Sequence, residues 1–260
     1  MTRESEELRY GLDQGIARIT LSAPDKLNSL SHEMLAGIPQ LVQRAHDDGA
    51  RAILLSGEGR AFCTGARLGE GFTGERDLGQ LVEDYFSPMA RAFSESKIPV
   101  VTGLNGLAAG AGVGLALCGD IVVAARSAYL LLAFANIGLV PDAGSTWLIS
   151  QSIGRARTLE LALLAERLPV EKAAAMGLIA RVVDDEAVAE EATAVARKLA
   201  SMPTAALGLI RKQVRVALDE GFSASLETER DHQRAAGGTK DYQEGVRAFM
   251  EKRPPVFTGS

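Results

Sequence analysis

The chain has 260 residues, 47% of them hydrophobic, enough for one large α/β domain or a domain with an appended piece. Its net charge of −5 argues against a nucleic-acid surface, and its two cysteines and three histidines show neither a disulfide framework nor metal-ligand spacing. The charged start "MTRESEELRY" is no signal peptide and the longest apolar runs fall far short of the ~20 residues of a membrane span, so no membrane, no metal and a cytoplasmic location are expected.

Two alternating runs, "LRYGL" and "IARITL", flank "DQG" and predict a β-hairpin, with Pro24 ending the second strand. In "SHEMLAGIPQLVQRAHDDG", Met34, Leu35, Ile38, Leu41, Val42 and Ala45 recur at helical spacing, with Ser31 as N-cap and Gly49 closing the helix. "RAILLSG" is a continuous apolar strand of the kind buried on both faces, which completes a βαβ unit. The polar, glycine-rich "LGEGFTGERDLG" is longer than a compact fold needs; it is expected to be mobile and, over about 69–85, to line a ligand pocket.

A second helix is predicted over about 77–96, leading into the strand "IPVVTGL". "DIVVAAR" and "YLLLAF" read as two more strands, and from "GSTWLISQSIG" onward the pattern is helical apart from "IARVVDD". The expected organisation is a parallel-sheet core over 1–195 and a helical C-terminal region over 196–260. Trp147 and Cys63 read as packed core residues, and Asp120 as a structural acid bonding backbone. Arg211, Lys212 and Arg215 read as a solvated helix face.

Two glycine-rich turns follow apolar strands, "LLSGEGRAFCTGARL" and "VVTGLNGLAAGAGVGLAL". The first has Phe62 where a dinucleotide fingerprint needs its third glycine, and the second lacks the Gly-Lys-Ser/Thr of a phosphate loop. Gly110, Ala111 and Gly112 open a short apolar helix whose first N–H groups have no partner of their own. Paired with the N–H of Ala66, they would form an oxyanion hole that needs no side chain. Tight turns and close helix-to-sheet packing explain the same glycines equally well.

The stretches "PDKLNSL", "GRAFCTGARL", "NGLAAGAGVGLALCGDIVVAA", "GLVPDAGSTW" and "GVRAFMEKRPPVF", in this order over essentially the whole chain, resemble the crotonase family of enoyl-CoA hydratases and isomerases. The resemblance implies an α/β fold: a crotonase-like spiral of ββα turns with a helical C-terminal trimerisation region, giving a homotrimer or a hexamer. It implies acyl-CoA thioester substrates, with coenzyme A as part of the substrate and no separate cofactor. Ala66 and Ala111 match the family's oxyanion positions. Lys26 and Leu27 match its adenine and pantetheine path, and Phe249 and Lys252 match residues supplied by a neighbouring subunit's tail. Gly65, Leu68 and Gly110 flank the oxyanion residues and are read with them as substrate-binding.

A hydratase of this family uses two glutamates, and their positions fall here at Gly114 and about Phe134. Gly114 has two readings, tight packing against a neighbouring element or room for a bulky acyl group; Phe134 reads as pocket wall. Asp142 also has two readings on its residues alone, an N-cap ahead of a helix or a catalytic acid. The run "LAFANIGLVPDAGSTW" resembles the ring-1,2-epoxyphenylacetyl-CoA isomerases of phenylacetate catabolism, which rely on an aspartate at this position, and "SLETERDHQRAAG" and "YQEGVRAFMEKRPPVFTG" extend that likeness into the tail. Asp142 is thus implied as the acid/base of an isomerase that shifts a 3-enoyl double bond to the 2-position or opens a ring epoxide. The alternatives are a hydratase and a non-catalytic acyl-CoA binder. Two departures from the family stand out: Arg67, a surface change or a partner for a CoA phosphate, and Ser145, which replaces a common glycine.

Overall fold

The computed structural model describes residues 6–69 and 77–260, so most of the stretch expected to be mobile, 70–76, lies outside the described residues. The chain opens on the expected hairpin, β1 (Leu8–Asp13) against β2 (Ile16–Leu21), in register from Leu8–Leu21 to Asp13–Ile16. Gln14 and Gly15 turn it with φ of 50° and 75°, the left-handed geometry that matches strand twist in a two-residue hairpin loop. The first helix, α1 (His32–Asp47), starts as expected: the Ser31 hydroxyl accepts the Met34 N–H, and Met34, Leu35, Ile38, Val42 and Ala45 are buried.

From there the chain repeats a unit of two strands and a helix. β3 (Ala52–Gly57) and β4 (Ala61–Cys63) lead to α2 (Leu78–Leu81) and α3 (Ser87–Ser94). β5 (Val100–Leu104) and β6 (Leu107–Ala109) lead to α4 (Ala111–Leu117), and β7 (Ile121–Ala125) and β8 (Tyr129–Leu131) lead to α5 (Ser145–Leu164). β9 (Leu168–Pro169), α6 (Val170–Ala175), β10 (Arg181–Val183) and α7 (Val188–Ala200) complete the core. α8 (Thr204–Asp219), α9 (Phe222–Gly237) and α10 (Lys240–Glu251) form the C-terminal region.

Each unit gives one strand to each of two sheets, ordered β1-β2-β3-β5-β7-β10 and β4-β6-β8-β9. This is the expected α/β spiral of ββα turns. β3 lies inside the larger sheet and is buried on both faces, which explains its uninterrupted apolar run. Ile53 and Leu55 join the main core with Met34 and Ile38, while Leu54 packs with Val101, Val123 and the α7 residues Ala192, Val195 and Ala196.

Several expectations need correction. The helix expected over about 77–96 is α2, a π turn at Val82–Phe86 and α3; the Ser87 N–H reaches back to the Val82 carbonyl, and Pro88 follows with no N–H to give. "YLLLAF" is a strand only to Leu131, with Ala133–Ile137 coiled into a 3₁₀ turn. The expected division after residue 195 falls inside α7, whose Ala196 and Ala200 still pack on the sheet; Pro203 then precedes α8.

Arg211 does not belong to a solvated face. Only 11% exposed, its guanidinium donates to Asp120 Oδ2 at 2.6 Å and to the carbonyls of Phe93 and Ser96, tying α8 to the core. Asp120 also accepts the Val100 N–H at 2.7 Å, the structural role expected of it. Trp147 is not core: it is 37% exposed, and its indole N–H donates to Asp219 of α8. Among the described residues no helix is long and apolar enough to cross a membrane.

Candidate active site

A cleft of about 540 Å³ opens between the two glycine-rich segments, the α2 and π-turn run, and the chain from Ala133 to Asp142. Its walls are apolar, with Leu68, Leu81, Val82, Phe86, Phe134 and Leu139 among them. The polar side chains on it are those of Thr64, Asn136 and Asp142, so Asp142 is the single ionisable group among the described lining residues.

Asp142 sits on a tight turn just before α5. Its carbonyl accepts the Ser145 N–H at 3.0 Å and the Ser145 hydroxyl at 2.7 Å, while Ala143 and Gly144 have φ of 51° and 73°. Positive φ at both central residues with this closing bond defines a type I′ turn. The N-cap of α5 is Gly144, and no side chain caps the helix, so the capping role is not the one Asp142 plays. Its Oδ1 is instead buried with no hydrogen-bond partner among the described residues. Burial pushes the Asp142 pKa up to about 6, opposed only by a bond from its own backbone. A carboxylate so placed is charged at neutral pH yet basic enough to take a proton from carbon-bound hydrogen in an activated acyl group.

Ala66 and Ala111 line the same cleft. Ala66 forms a lone parallel bridge with Leu30; the bonds run from Leu30 N–H to the Gly65 carbonyl and from Arg67 N–H to the Leu30 carbonyl, leaving the Ala66 N–H free of backbone acceptors among the described residues. Ala111 opens α4 behind the N-cap Gly110, so its N–H has no intrahelical acceptor. Gly65 brings the two amides together. At φ 84° it packs so close that a Cβ would lie 2.8 Å from the Ala109 carbonyl and 3.1 Å from the Ala111 nitrogen. Each of the two glycine-rich turns also holds a three-residue strand, β4 or β6, and these pair in the smaller sheet. Strands so short leave no alternating pattern to read.

Gly114 does not line the cleft. It is buried in α4 against the Asp142 turn, where a Cβ would meet the Ala143 carbonyl at 2.5 Å and the Ala143 methyl at 2.8 Å. The tight-packing reading is the right one. Gly65 likewise acts behind the surface, whereas Leu68, Gly110 and Phe134 are on it.

Lys26 is exposed and ion-paired with Glu7, and the left-handed Leu27 gives its carbonyl to the Thr64 hydroxyl. Phe249 is 83% exposed and Lys252 ends α10, both away from this cleft. Arg67 fits neither reading made of it. It is 10% exposed and clamps Glu7, the Ser29 hydroxyl and the Ser29 carbonyl. Burial raises the Glu7 pKa, but bonds from Arg67, Lys26 and Ser31 outweigh it and hold the carboxyl below its ordinary value. Cys63 is buried and its thiol is pushed up to about 12 by burial, which leaves it no nucleophilic thiolate at neutral pH.

Thr64, Asn136 and Phe86 escaped the sequence reading as cleft residues, whereas Leu78, Leu81 and Val82 fall within the stretch of about 69–85 expected to line a pocket. Leu78, Leu81 and Val82 share one helical face, a signal that existed, but the π turn that carries the wall on to Phe86 left none.

Comparison with known proteins places these features in company. Residues 11–260 match the family described as enoyl-CoA hydratase/isomerase. The chain is 46% identical to the 1,2-epoxyphenylacetyl-CoA isomerase of Escherichia coli K12, over 95% of its own length and 97% of that protein. It is 41% identical to a Rhodobacter capsulatus protein described as a probable enoyl-CoA hydratase, covering 97% and 98% of the two chains. Among solved structures, an enoyl-CoA hydratase of Bacillus anthracis superposes with a TM-score of 0.92 at 28% identity, covering 98% of this chain and all of that one.

Proposed function

The chain belongs to the enoyl-CoA hydratase/isomerase family, and from that premise we propose that it is an acyl-CoA isomerase with Asp142 as its acid/base. One observation carries the reading. Among the described residues the cleft offers a single ionisable group, and the Gly114 position, where the family's hydratases carry a glutamate, is filled by the backbone and methyl of Ala143. Hydration needs water held and deprotonated by a pair of groups; a proton shuttle needs one.

In the proposed reaction the thioester oxygen accepts the N–H groups of Ala66 and Ala111, at the positive end of α4. The Asp142 carboxylate removes a proton from C2, and the electron pair left behind delocalises onto the thioester oxygen as an enolate. Asp142, now protonated, returns the proton at C4, and a 3-enoyl thioester leaves as the 2-enoyl isomer. On a substrate with an epoxidised ring the same enolate electrons would instead open the epoxide. The name of the E. coli relative favours that substrate and a role in phenylacetate catabolism. The reading needs no metal and no cofactor beyond the coenzyme A of the substrate, for which Lys26 and Leu27, with Phe249 and Lys252 of a neighbouring copy, are the proposed contacts.

The test is the fate of water. With a 3-enoyl-CoA in water enriched in heavy oxygen, the product should be a 2-enoyl-CoA free of the label. A 2-enoyl-CoA run in parallel should stay unlabelled; a labelled 3-hydroxyacyl product from it would make the protein a hydratase, and binding without conversion of a 2-enoyl, 3-enoyl or ring-epoxide thioester would make it an acyl-CoA binder.

The C-terminal region supports a trimer or hexamer. Ile210 and Val214 of α8, Phe222 of α9, and Phe249 and Met250 of α10 are all more than half exposed, a concentration of apolar surface that water does not favour. Light scattering on the purified protein should return three or six copies of the 27.5 kDa chain, and a monomer would remove the proposed tail contacts to coenzyme A.

A further inference from the structure

Among the described residues no side chain bonds the Asp142 Oδ1, and the hydrogen bond that shifts its carboxyl comes from its own backbone. That backbone is strained. Ala143 holds φ 51°, a left-handed conformation that residues with a Cβ avoid, at a turn position usually given to Gly, Asn or Asp. Such a conformation persists only where the surroundings over-determine it. Two contacts do so here. Gly114 leaves the space that the Ala143 carbonyl and methyl occupy. Ser145, fully buried, adds its hydroxyl at 2.7 Å to the backbone bond already made to the Asp142 carbonyl.

We propose that Ser145 is a positioning residue for Asp142: its hydroxyl locks the carbonyl of the base's own residue and thereby holds the carboxylate at the cleft. The proposal rests on the reading of Asp142 as the base. It differs from a purely structural role in what it does to the carboxylate. Without the second bond the turn loosens, water reaches Oδ1, and the desolvation that raises its proton affinity is partly relieved. No other ionisable group among the described residues lines the cleft. Behind the turn, Arg91, Cys118, Asp120, Arg211, Arg215 and Asp219 line a separate cavity that Ala143 and Gly144 wall off, with Asp120 bonded to Arg211 and Asp219 to the Trp147 indole.

The experiment is steady-state isomerisation of a 3-enoyl-CoA by the wild type, Ser145→Ala and Ser145→Gly between about pH 5 and 8. A melting curve on each variant separates a loss of positioning from a failure to fold. Both should lose about tenfold in kcat with KM nearly unchanged, as a small displacement of a catalytic group demands. Their acid limbs should also move below that of the wild type. A folded variant with wild-type kcat and an unmoved limb, or one whose KM rises while the limb stays in place, overturns the role of Ser145. Asp142→Asn, run in parallel, separates the two ideas: near-normal activity there removes the base itself, whereas its inactivity beside an unaffected Ser145→Ala removes only the positioning.

Discussion

Asp142→Asn should lower isomerase turnover by about 10²- to 10⁴-fold, the usual contribution of a positioned general acid/base, while thioester affinity stays near that of the wild type. Binding survives because the apolar walls and the two backbone amides are untouched by a change of one oxygen to nitrogen. The same variant should be more stable than the wild type at neutral pH, because burial makes the folded protein a poor home for the carboxylate.

The sign follows from the raised pKa. Asp142 moves from 3.8 to about 6 on folding, so the folded chain binds the proton more tightly than the unfolded chain does. Below about pH 4 both states are protonated and the penalty is absent; it grows as pH rises and is complete above about 6. Roughly two pH units correspond to about 3 kcal/mol, an upper figure for a group still partly in contact with the cleft. Melting curves should therefore show Asp142→Asn above the wild type at about pH 8 and level with it at about pH 4. Equal melting temperatures at both would mean that the carboxylate is not desolvated in solution, and with that its special basicity would go.

Gly114→Ala should be the second severe change, although it lies outside the cleft and adds only a methyl. The added carbon would stand 2.5 Å from the Ala143 carbonyl oxygen and 2.8 Å from its methyl, distances at which backbone must move. Overpacking of this kind costs about 1–3 kcal/mol of stability. The movement falls on both halves of the site, since α4 carries the Ala111 amide and the displaced turn carries Asp142. A displacement near 1 Å is enough to cost about 100-fold in rate. Gly114→Glu, which restores the residue type of a two-glutamate hydratase, should meet the same obstruction and gain no hydration activity. Melting temperature and kcat measured on the two variants check this, and near-wild-type values for Gly114→Ala would show that the turn yields freely.

Local signals carried much of this in the sequence. The "DQG" hairpin, the Ser31 cap and the apolar run of β3 are each written in a few adjacent residues and appear where the patterns put them. The glycine-rich opening of α4 and the acid ahead of α5 were legible as a pair of candidates for one site. Contacts between distant segments were not. Whether Asp142 caps α5 or faces a cleft depends on which residue takes the cap, and Gly144 takes it. Whether Gly114 makes room for substrate or for protein depends on Ala143, and Arg211 looked like solvated charge because Asp120 lies ninety-one residues before it. β4, β6 and β9 stayed hidden because two or three residues are too few to show a period.

The most direct test of a single-carboxylate proton shuttle is conversion of a 3-enoyl-CoA by the wild-type protein in deuterated water, followed by mass spectrometry and by the absorbance of the conjugated product. The account predicts a 2-enoyl-CoA of the substrate's own composition, carrying deuterium only to the extent that the proton on Asp142 exchanges with solvent before it is returned to C4. A product heavier by one molecule of water would contradict it.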